Sequence, residues 1–497
     1  MNASSCWQLH TAHAFLSRAS LPHCATPPQV RVKFVTKLAS IRVTDLPIAV
    51  PETLGRYGLS EVVNHLLGLN ADTSAAAAAP HDAAPPSSKA PIPFDILIDG
   101  RFLRTSLARY MRAHAVSGET VLELEYLPAL RQPTEESADT QPDWVSALAA
   151  CAGAAGTGGE RVAGPFLASA CYDGCLRLYG ASGGLDIAHS ARVSAQPLTA
   201  LAAAAGGGAG GGDDAERCWL LAGGKDRGVS LWRVSGGEQR MLEQAAVLSG
   251  HQNSVAAVSF SPAGGTHTAA SGDWDGRMCL WDLAAAQGAA GADAEAGGPG
   301  VKRRKRAAGE ADAVVVELEP TAVFKAHSQA VTGVYLAGPD TLYTGSWDHS
   351  LKAWDAQRQD CVRTMACAKA VACMDAQGGD DAAAASGLLA TGHPDGRIRV
   401  WDVRTKAGET LTLATLAARG GWVYGVKWAH GSAYNLASSS RDGSVRLWDI
   451  RSGAALRTLP AHKGAALCVA WHAGGVASGG DDGVVRTFKV EVAATVT

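Results

Sequence analysis

The sequence predicts a mainly β chain, a seven-bladed propeller behind a small α+β module. Three observations carry this. A short pattern recurs seven times with unchanging internal spacing. Each copy reads as strand, tight turn, strand, the grammar of a repeat architecture. The first 128 residues lack the pattern and alternate strand-like and helix-like stretches instead.

The repeating unit is a small residue, Asp four positions on, and an aromatic six positions after the Asp. It runs Ser169–Asp173–Tyr179, Ala222–Asp226–Trp232, Ser271–Asp275–Trp281, Thr344–Asp348–Trp354, Thr391–Asp395–Trp401, Ser438–Asp442–Trp448 and Ser478–Asp482–Phe488. In LASSSRDGSVRLWDI, Asp442-Gly443 supplies turn chemistry, and Val445 and Leu447 alternate as a strand requires. An Asp at the turn accepts backbone N–H bonds. A Trp donates its indole N–H to a Ser or Thr hydroxyl, that hydroxyl bonds a His, and the His the Asp.

These repeats resemble the WD-repeat family, in which Gly-His and Trp-Asp dipeptides bracket each unit. Gly250-His251 precedes Trp281-Asp282, Ala326-His327 precedes Trp354-Asp355, and Ala461-His462 precedes Phe488. The resemblance spans residues 143–490. It implies complete structural networks in two blades, His251/Ser271/Asp275/Trp281 and His327/Thr344/Asp348/Trp354. Phe488 has no N–H to donate, and Arg419 stands near the sixth repeat's His position. A Ser, a His and an Asp together invite a hydrolase reading, but recurrence at fixed spacing argues for a structural role. A catalytic triad occurs once per site.

The N-terminal module follows its own order. QVRVKFVTK (29–37) alternates as a strand, and 41–45 is its expected hairpin partner. After Ser60, EVVNHLLG carries Val62, Val63, Leu66 and Leu67 on a helical stripe, with Gly68 as C′ residue. Residues 71–91, rich in Ala, Pro and Ser, read as a disordered insertion. PFDILIDG (93–100) and VLELEY (121–126) are strands, Asp99-Gly100 is a hairpin turn, and LARYMRAH is a short helix. This order is that of a ubiquitin-like β-grasp domain over 29–128. RYGLSEVVNHLLG, PFDILIDGRFLRTSL, VLELEY and DWVS resemble the Notchless-like domain. Two families join that domain to a propeller: Notchless, with eight repeats, and the WD-repeat partner of Pescadillo and its Bop-type companion, which seven repeats fit better.

Between these elements lie expected linkers. Residues 1–28 contain no Asp or Glu and are loosely like an organelle transit peptide. With Arg scarce and no long amphipathic pattern, they read as a disordered or mis-assigned extension. Residues 129–142 are an expected linker and 491–497 a tail. An Ala/Gly-rich insert at 284–320 carries Lys302, Arg303, Arg304, Lys305 and Arg306. Five consecutive basic residues in a flexible loop fit a nuclear-import signal, with rRNA phosphate contact or a merely solvated run as alternatives. The family carries a basic run at this place.

The resemblance also implies a site. In the Notchless-like domain a loop carboxylate, seven residues before the closing Tyr, completes the coordination of a metal held by the giant AAA ATPase midasin. Here that position is Glu119. A partner's Mg²⁺ with one open position takes such an oxygen. Trp422, after Gly420-Gly421, is a candidate contact on the propeller rim, with packing between blades as the alternative.

Composition bounds the rest. The net charge of −3 gives no field favouring nucleic acid, and 47% apolar residues suffice for sizeable cores. Eleven cysteines without a CxxC pair read as a reducing compartment, and Cys171 and Cys175 as ordinary strand residues. No apolar run reaches the roughly 18 residues that span a bilayer. No phosphate-binding GxxxxGK[ST] loop occurs. The resulting expectation is a non-enzymatic, cofactor-free assembly factor of the large ribosomal subunit, in nucleolus and nucleoplasm. Its expected partners are a Bop-type WD protein, a Pescadillo-like protein, midasin and the pre-ribosome. The alternative is a substrate receptor of a cullin ubiquitin ligase, since Trp401-Asp402-Val403-Arg404 and Trp448-Asp449-Ile450-Arg451 match the short W-D-x-R box of such receptors.

Overall fold

The computed structural model describes residues 28–69, 91–151, 166–180, 185–205, 218–234, 241–261, 268–284, 286, 301–305 (backbone), 314–338, 340–377, 387–405, 412–429, 432–472 and 475–491. Residues 1–27, the Ala/Pro insertion at 70–90, Arg306, most of the 284–320 insert and the tail after 491 lie outside them. The chain forms two compact units, one reaching Gln132 and including Glu491, the other Pro133–Val490. No described helix is long and apolar enough to cross a membrane.

The first unit opens with β1 (Gln29–Val35), whose Val30, Val32 and Phe34 are buried on one face. It pairs antiparallel with β2 (Ile48–Pro51) and parallel with β5 (Leu122–Pro128). The other edge of β5 pairs antiparallel with β3 (Phe94–Ile98), which turns into β4 (Arg101–Phe102). The sheet order is β2-β1-β5-β3-β4. Asp99 and Gly100 both have positive φ, 50° and 73°, in the two-residue hairpin loop, the left-handed pair that Asp-Gly adopts readily.

Helices α1 (Arg56–Leu66) and α2 (Leu107–His114) cover this sheet. Leu59, Val63, Leu107 and Met111 pack with Phe34, Ile96 and Leu124. Buried Asn64 fixes the chain after the insertion: its amide oxygen accepts from Ile92 N at 2.9 Å, and its nitrogen donates to the Ile92 carbonyl at 2.7 Å. Gly68, at φ 70°, ends α1 as expected. The β1 partner differs from expectation. Residues 39–41 form a 3-10 turn and the paired strand lies at 48–51. The Tyr126 hydroxyl explains why: it donates to Ile41 O at 2.5 Å and accepts from Val43 N at 3.0 Å. That stretch is therefore pinned against β5 and does not pair with β1.

The second unit holds seven sheets among the described residues. Their first strands are Val145–Cys151, Leu198–Ala205, Val255–Phe260, Val331–Leu336, Cys373–Ala376, Val423–Trp428 and Ala466–His472. Each packs against the next, and the last packs against the first, so the sheets form a closed circuit. The second strand of each sheet is largely buried, and Phe166–Cys171 is buried throughout. The recurring Asp lies in the turn between second and third strands. Gly443 follows one of them at φ 76°, and a Cβ there would lie 2.3 Å from the His462 carbonyl oxygen.

Two segments depart from expectation. The linker at 129–142 contains β6 (Thr134–Thr140), which pairs antiparallel with Val484–Lys489 as the outer strand of the seventh sheet. A segment from before the first sheet thus completes the last. TEESADT carries no apolar period because an outer edge strand faces water on both sides. Nor is the 284–320 insert loop throughout. Val314–Leu318 runs parallel to Leu242–Ser249, burying Val316 and Leu318, and Val301–Lys305 pairs outside it, giving the second sheet six strands. The backbone of Lys302–Lys305 is therefore in a strand where a flexible loop was expected.

Candidate partner-docking sites

The polar networks decide which residues are committed to structure. In the fourth sheet Trp354 Nε1 donates to Thr344 Oγ1 at 2.8 Å, Thr344 Oγ1 lies 2.7 Å from His327 Nε2, and His327 Nδ1 lies 3.0 Å from Asp348 Oδ2. An indole only donates and a carboxylate only accepts, so the direction is forced. The hydroxyl donates to Nε2 and Nδ1–H donates to the carboxylate. Burial lowers the His327 pKa against the pull of Asp348. Burial pushes Asp348 up, but Ser350, His327 and Ser328 N outweigh it and hold the carboxyl at about 2.

The third sheet uses the same relay with a different acid. Trp281 donates to Ser271 at 2.8 Å and Ser271 lies 2.6 Å from His251 Nε2, but His251 Nδ1 meets Asp273 Oδ2 at 3.0 Å, not Asp275. Asp273 is 0% exposed. Its other oxygen accepts from Asp275 N at 3.0 Å and Arg277 N at 2.9 Å. Asp275 is exposed, and among the described residues its carboxylate accepts only from the Asn253 amide, at 2.9 Å. The expected assignment of Asp275 is thus corrected. The repeat register points to Asp275, but the buried carboxylate reaching His251 comes from two residues earlier.

Other sheets solve the problem with other residues. His462 meets Asp482 at 2.9 Å and Ser478 at 2.9 Å, so this triad forms although Phe488 supplies no indole. In the fifth sheet His393, two residues after Thr391, bonds its hydroxyl at 2.8 Å and the Ala370 carbonyl at 2.8 Å. In the first sheet Gln141 donates to Ser169 at 2.7 Å and Tyr179 at 2.6 Å. At three turn Asp residues that no His reaches, an Arg four residues on takes the carboxylate: Arg177 on Asp173, Arg399 on Asp395 at 2.7 Å, Arg446 on Asp442 at 2.5 Å. That signal was legible as DGCLR, DGRIR and DGSVR. Arg419 is exposed and takes no part. Every hydroxyl in these relays is buried and engaged, which suits bracing and gives no solvent-facing nucleophile.

The free chemistry gathers at one end of the circuit. In six of the seven turns the residue before the Asp donates its N–H to the residue before a first strand: Tyr172 to Trp144, Lys225 to Pro197, Trp274 to Ser254, Trp347 to Ala330, Arg441 to Trp422 and Asp481 to Ala465, Pro394 having no N–H to give. These bonds put turns and strand entries on one face. There Trp274 meets Trp347 at 5.5 Å with the rings tilted by 59°, Trp347 meets Trp422 edge-on at 6.1 Å, and Trp422 lies 6.0 Å from Tyr424. Trp422 is half-buried, and Trp274 is 46% exposed. A second group joins Trp144 and Tyr172 at 5.4 Å, with the Lys225 ammonium 4.8 Å above the Tyr172 ring. Repeat matching singles out only the Asp and the aromatic six residues later, so it passed over Tyr172, Trp274 and Trp347.

Glu119 lies in the exposed turn between α2 and β5. Ser117 and Thr120 brace it: Glu119 N donates to Ser117 Oγ at 3.3 Å and Thr120 Oγ1 to Ser117 O at 2.7 Å. Exposed Val121 follows it. Among the described residues the Glu119 carboxylate has no partner, leaving its lone pairs free for an incoming cation. Glu123 and Glu125 instead pair with Lys33 and Lys37. The two W-D-x-R arginines fold back on their own motif: Arg404 onto Asp402 and Arg451 onto Asp449, with Arg451 also 4.0 Å from the Tyr434 ring. No group of three or more His, Cys, Asp or Glu among the described residues is placed to hold a metal.

A family profile described as the NLE (NUC135) domain matches residues 30–111. One described as WD domain, G-beta repeat matches 242–282, 318–355, 411–449 and 453–489. The chain is 35% identical to a ribosome biogenesis protein WDR12 homolog of Chlamydomonas reinhardtii over 94% of its own length and 98% of the relative's. It is 32% identical to the homolog of Oryza sativa over 91% and 95%, and 29% identical to ribosome biogenesis protein YTM1 of Eremothecium gossypii over 81% and 94%. The NLE domain, the WD repeats and near-full-length likeness together place this chain in the WDR12/YTM1 family of ribosome biogenesis proteins.

Proposed function

We propose that this chain is a non-enzymatic assembly factor of the large ribosomal subunit, a scaffold in a Pescadillo–Bop-type complex and the handle by which midasin removes that complex. The observation that carries the reading is the pairing of an NLE domain with WD repeats in a chain alike, end to end, to ribosome biogenesis proteins. In this reading the first unit is a ubiquitin-like β-grasp domain. The second is a closed seven-bladed propeller, each sheet a blade. The aromatic end around Trp274, Trp347 and Trp422 receives the Bop-type partner, as rigid aromatics at an otherwise polar face suit an interface hot spot. Glu119 supplies the oxygen that completes midasin's Mg²⁺ coordination. The basic run at 302–306 directs the protein to the nucleus, and it works in nucleolus and nucleoplasm.

Two features support this division of labour. The Glu119 carboxylate is exposed and uncommitted, whereas the network carboxylates Asp273, Asp348 and Asp482 are engaged by their own sheets. The W-D-x-R arginines are already paired within the chain, so nothing specific favours the cullin-receptor alternative. The test is a pull-down of midasin's metal-site domain. Glu119→Ala abolishes Mg²⁺-dependent capture, Glu119→Asp retains part of it, and both variants keep the Bop-type partner. Capture at wild-type level by Glu119→Ala, or capture indifferent to chelator, removes the handle assignment. A cullin adaptor co-purifying with the tagged chain in place of a Pescadillo-like protein overturns the scaffold reading.

A further inference from the structure

Cys151 and Cys218 meet across the seam between the first two sheets. Cys151 ends the strand Val145–Cys151 and pairs with Phe166. Cys218 opens the strand Cys218–Gly224, between Ala205 and Val234. The two residues are 6% and 2% exposed, in a cluster with Phe166, Leu220 and Trp232. Their sulfur atoms stand 3.6 Å apart. Neither takes part in the hydroxyl relays. Cys151 lies at the opposite end of its strand from Trp144, away from the aromatic face.

That separation is van der Waals contact between thiols. A disulfide needs about 2.05 Å, so closure requires an approach of roughly 1.5 Å. Both residues terminate strands, where side-chain rotation and a small seam adjustment are cheapest. We propose that Cys151 and Cys218 form a redox-sensitive dithiol that closes, under an oxidising poise, into a disulfide stapling the first sheet to the second. With a small-molecule disulfide such as oxidised glutathione, one cysteine loses its proton and its thiolate attacks. A mixed disulfide forms and one glutathione thiolate leaves. The second cysteine, deprotonated in turn, attacks the protein sulfur and expels the second glutathione. Two protein thiols are oxidised, one glutathione disulfide is reduced to two thiols, and the two protons end on the departing thiolates. Burial makes the first attack wait on local opening of the seam. The circuit, otherwise completed by hydrogen bonds through β6, then gains a covalent joint.

The full-length chain, purified with reductant and then freed of it, is equilibrated in glutathione buffers of graded poise, quenched with an alkylating agent and mapped by mass without reduction. The expected product is a Cys151–Cys218 cross-linked peptide pair lighter by two hydrogens, with both residues protected from alkylation. Exposed Cys361 takes up glutathione as a mixed disulfide instead. Oxidation raises the melting midpoint of the propeller on the order of 5 °C, since a long loop is closed in the unfolded chain. Cys151→Ser and Cys218→Ser abolish the rise. If either variant fails to fold, the wild-type peptide map still decides. Both residues remaining alkylatable at a poise where Cys361 is fully converted overturns the proposal. So does a map in which either cysteine carries only glutathione or links elsewhere.

Discussion

Replacing Asp273 or Asp275 with alanine separates the buried relay from the repeat register. Asp273 is fully buried and accepts three hydrogen bonds, from His251 Nδ1 and from the backbone of Asp275 and Arg277. Asp273→Ala strands the His251 N–H in a fully buried site and frees two turn amides. The amides regain water in part, because the turn tip at Trp274 and Asp275 is exposed. One buried donor left unpaired costs about 1–3 kcal/mol, and the weakened turn adds a fraction more, for a total of about 3 kcal/mol. Asp275→Ala loses one exposed bond to Asn253 and costs under about 0.5 kcal/mol. Asp273→Asn keeps an acceptor and the shape, and falls between. Urea unfolding at pH 7.5, followed by tryptophan fluorescence and by amide hydrogen exchange of the third sheet, reads the difference. Equal midpoints for the two alanine variants, or a larger loss for Asp275→Ala, refutes the assignment of the buried acid.

Further outcomes follow from the same geometry. His393 is held neutral in the fold, its pKa pushed down to about 4 by burial, and His327 and His462 are also lowered. The unfolded chain therefore binds more protons below about pH 6.5, so stability is full above that value and lost as pH falls toward 4. His393 alone accounts for about 3 kcal/mol, and a urea midpoint unchanged between pH 7 and 5 contradicts this. Asp348, held at about 2, adds its own loss only below the ordinary carboxylate range. Gly443→Ala puts a Cβ 2.3 Å from the His462 carbonyl at φ 76°; it costs more than about 2 kcal/mol, whereas Gly453→Ala, also at positive φ but in open space, costs only about 1 kcal/mol, as thermal melts of both variants will show. Alanines at 302–306 shift a fluorescent fusion out of the nucleus with the melting curve unchanged; continued nucleolar accumulation means the protein enters with its partners.

The aromatic end shows how repeat symmetry conceals variation between turns. The positions before the turn Asp are Tyr172, Lys225, Trp274, Trp347, Pro394, Arg441 and Asp481. Each sits in a turn whose backbone is held by a carboxylate, the turn Asp itself or, in the third sheet, Asp273. Their variety stands against the invariance of the Asp-to-aromatic spacing, and under the proposed function it is at these variable positions that a partner is read.

By itself the sequence determined the turn at each Asp, the strand alternation and the helical stripe of α1. These are local: a period of two or 3.6, an Asp-Gly at φ above zero, a fixed span between donor and acceptor. It also placed Glu119 in a turn, since the residues flanking it set the helix end and strand start. Only the tertiary structure decided what depends on distant partners. Asp273 supplants Asp275 because burial and reach to His251, not register, choose the acid. Gln141 and His393 complete relays from places no dipeptide motif marks. TEESADT became a strand because Val484–Lys489 presented an unpaired edge, and edge pairing requires backbone groups, not apolar side chains. Residues 41–45 were drawn from β1 by one buried Tyr126 hydroxyl. Cys151 and Cys218, 67 positions apart, met because two sheets pack side by side, and no spacing rule along the chain records such a contact.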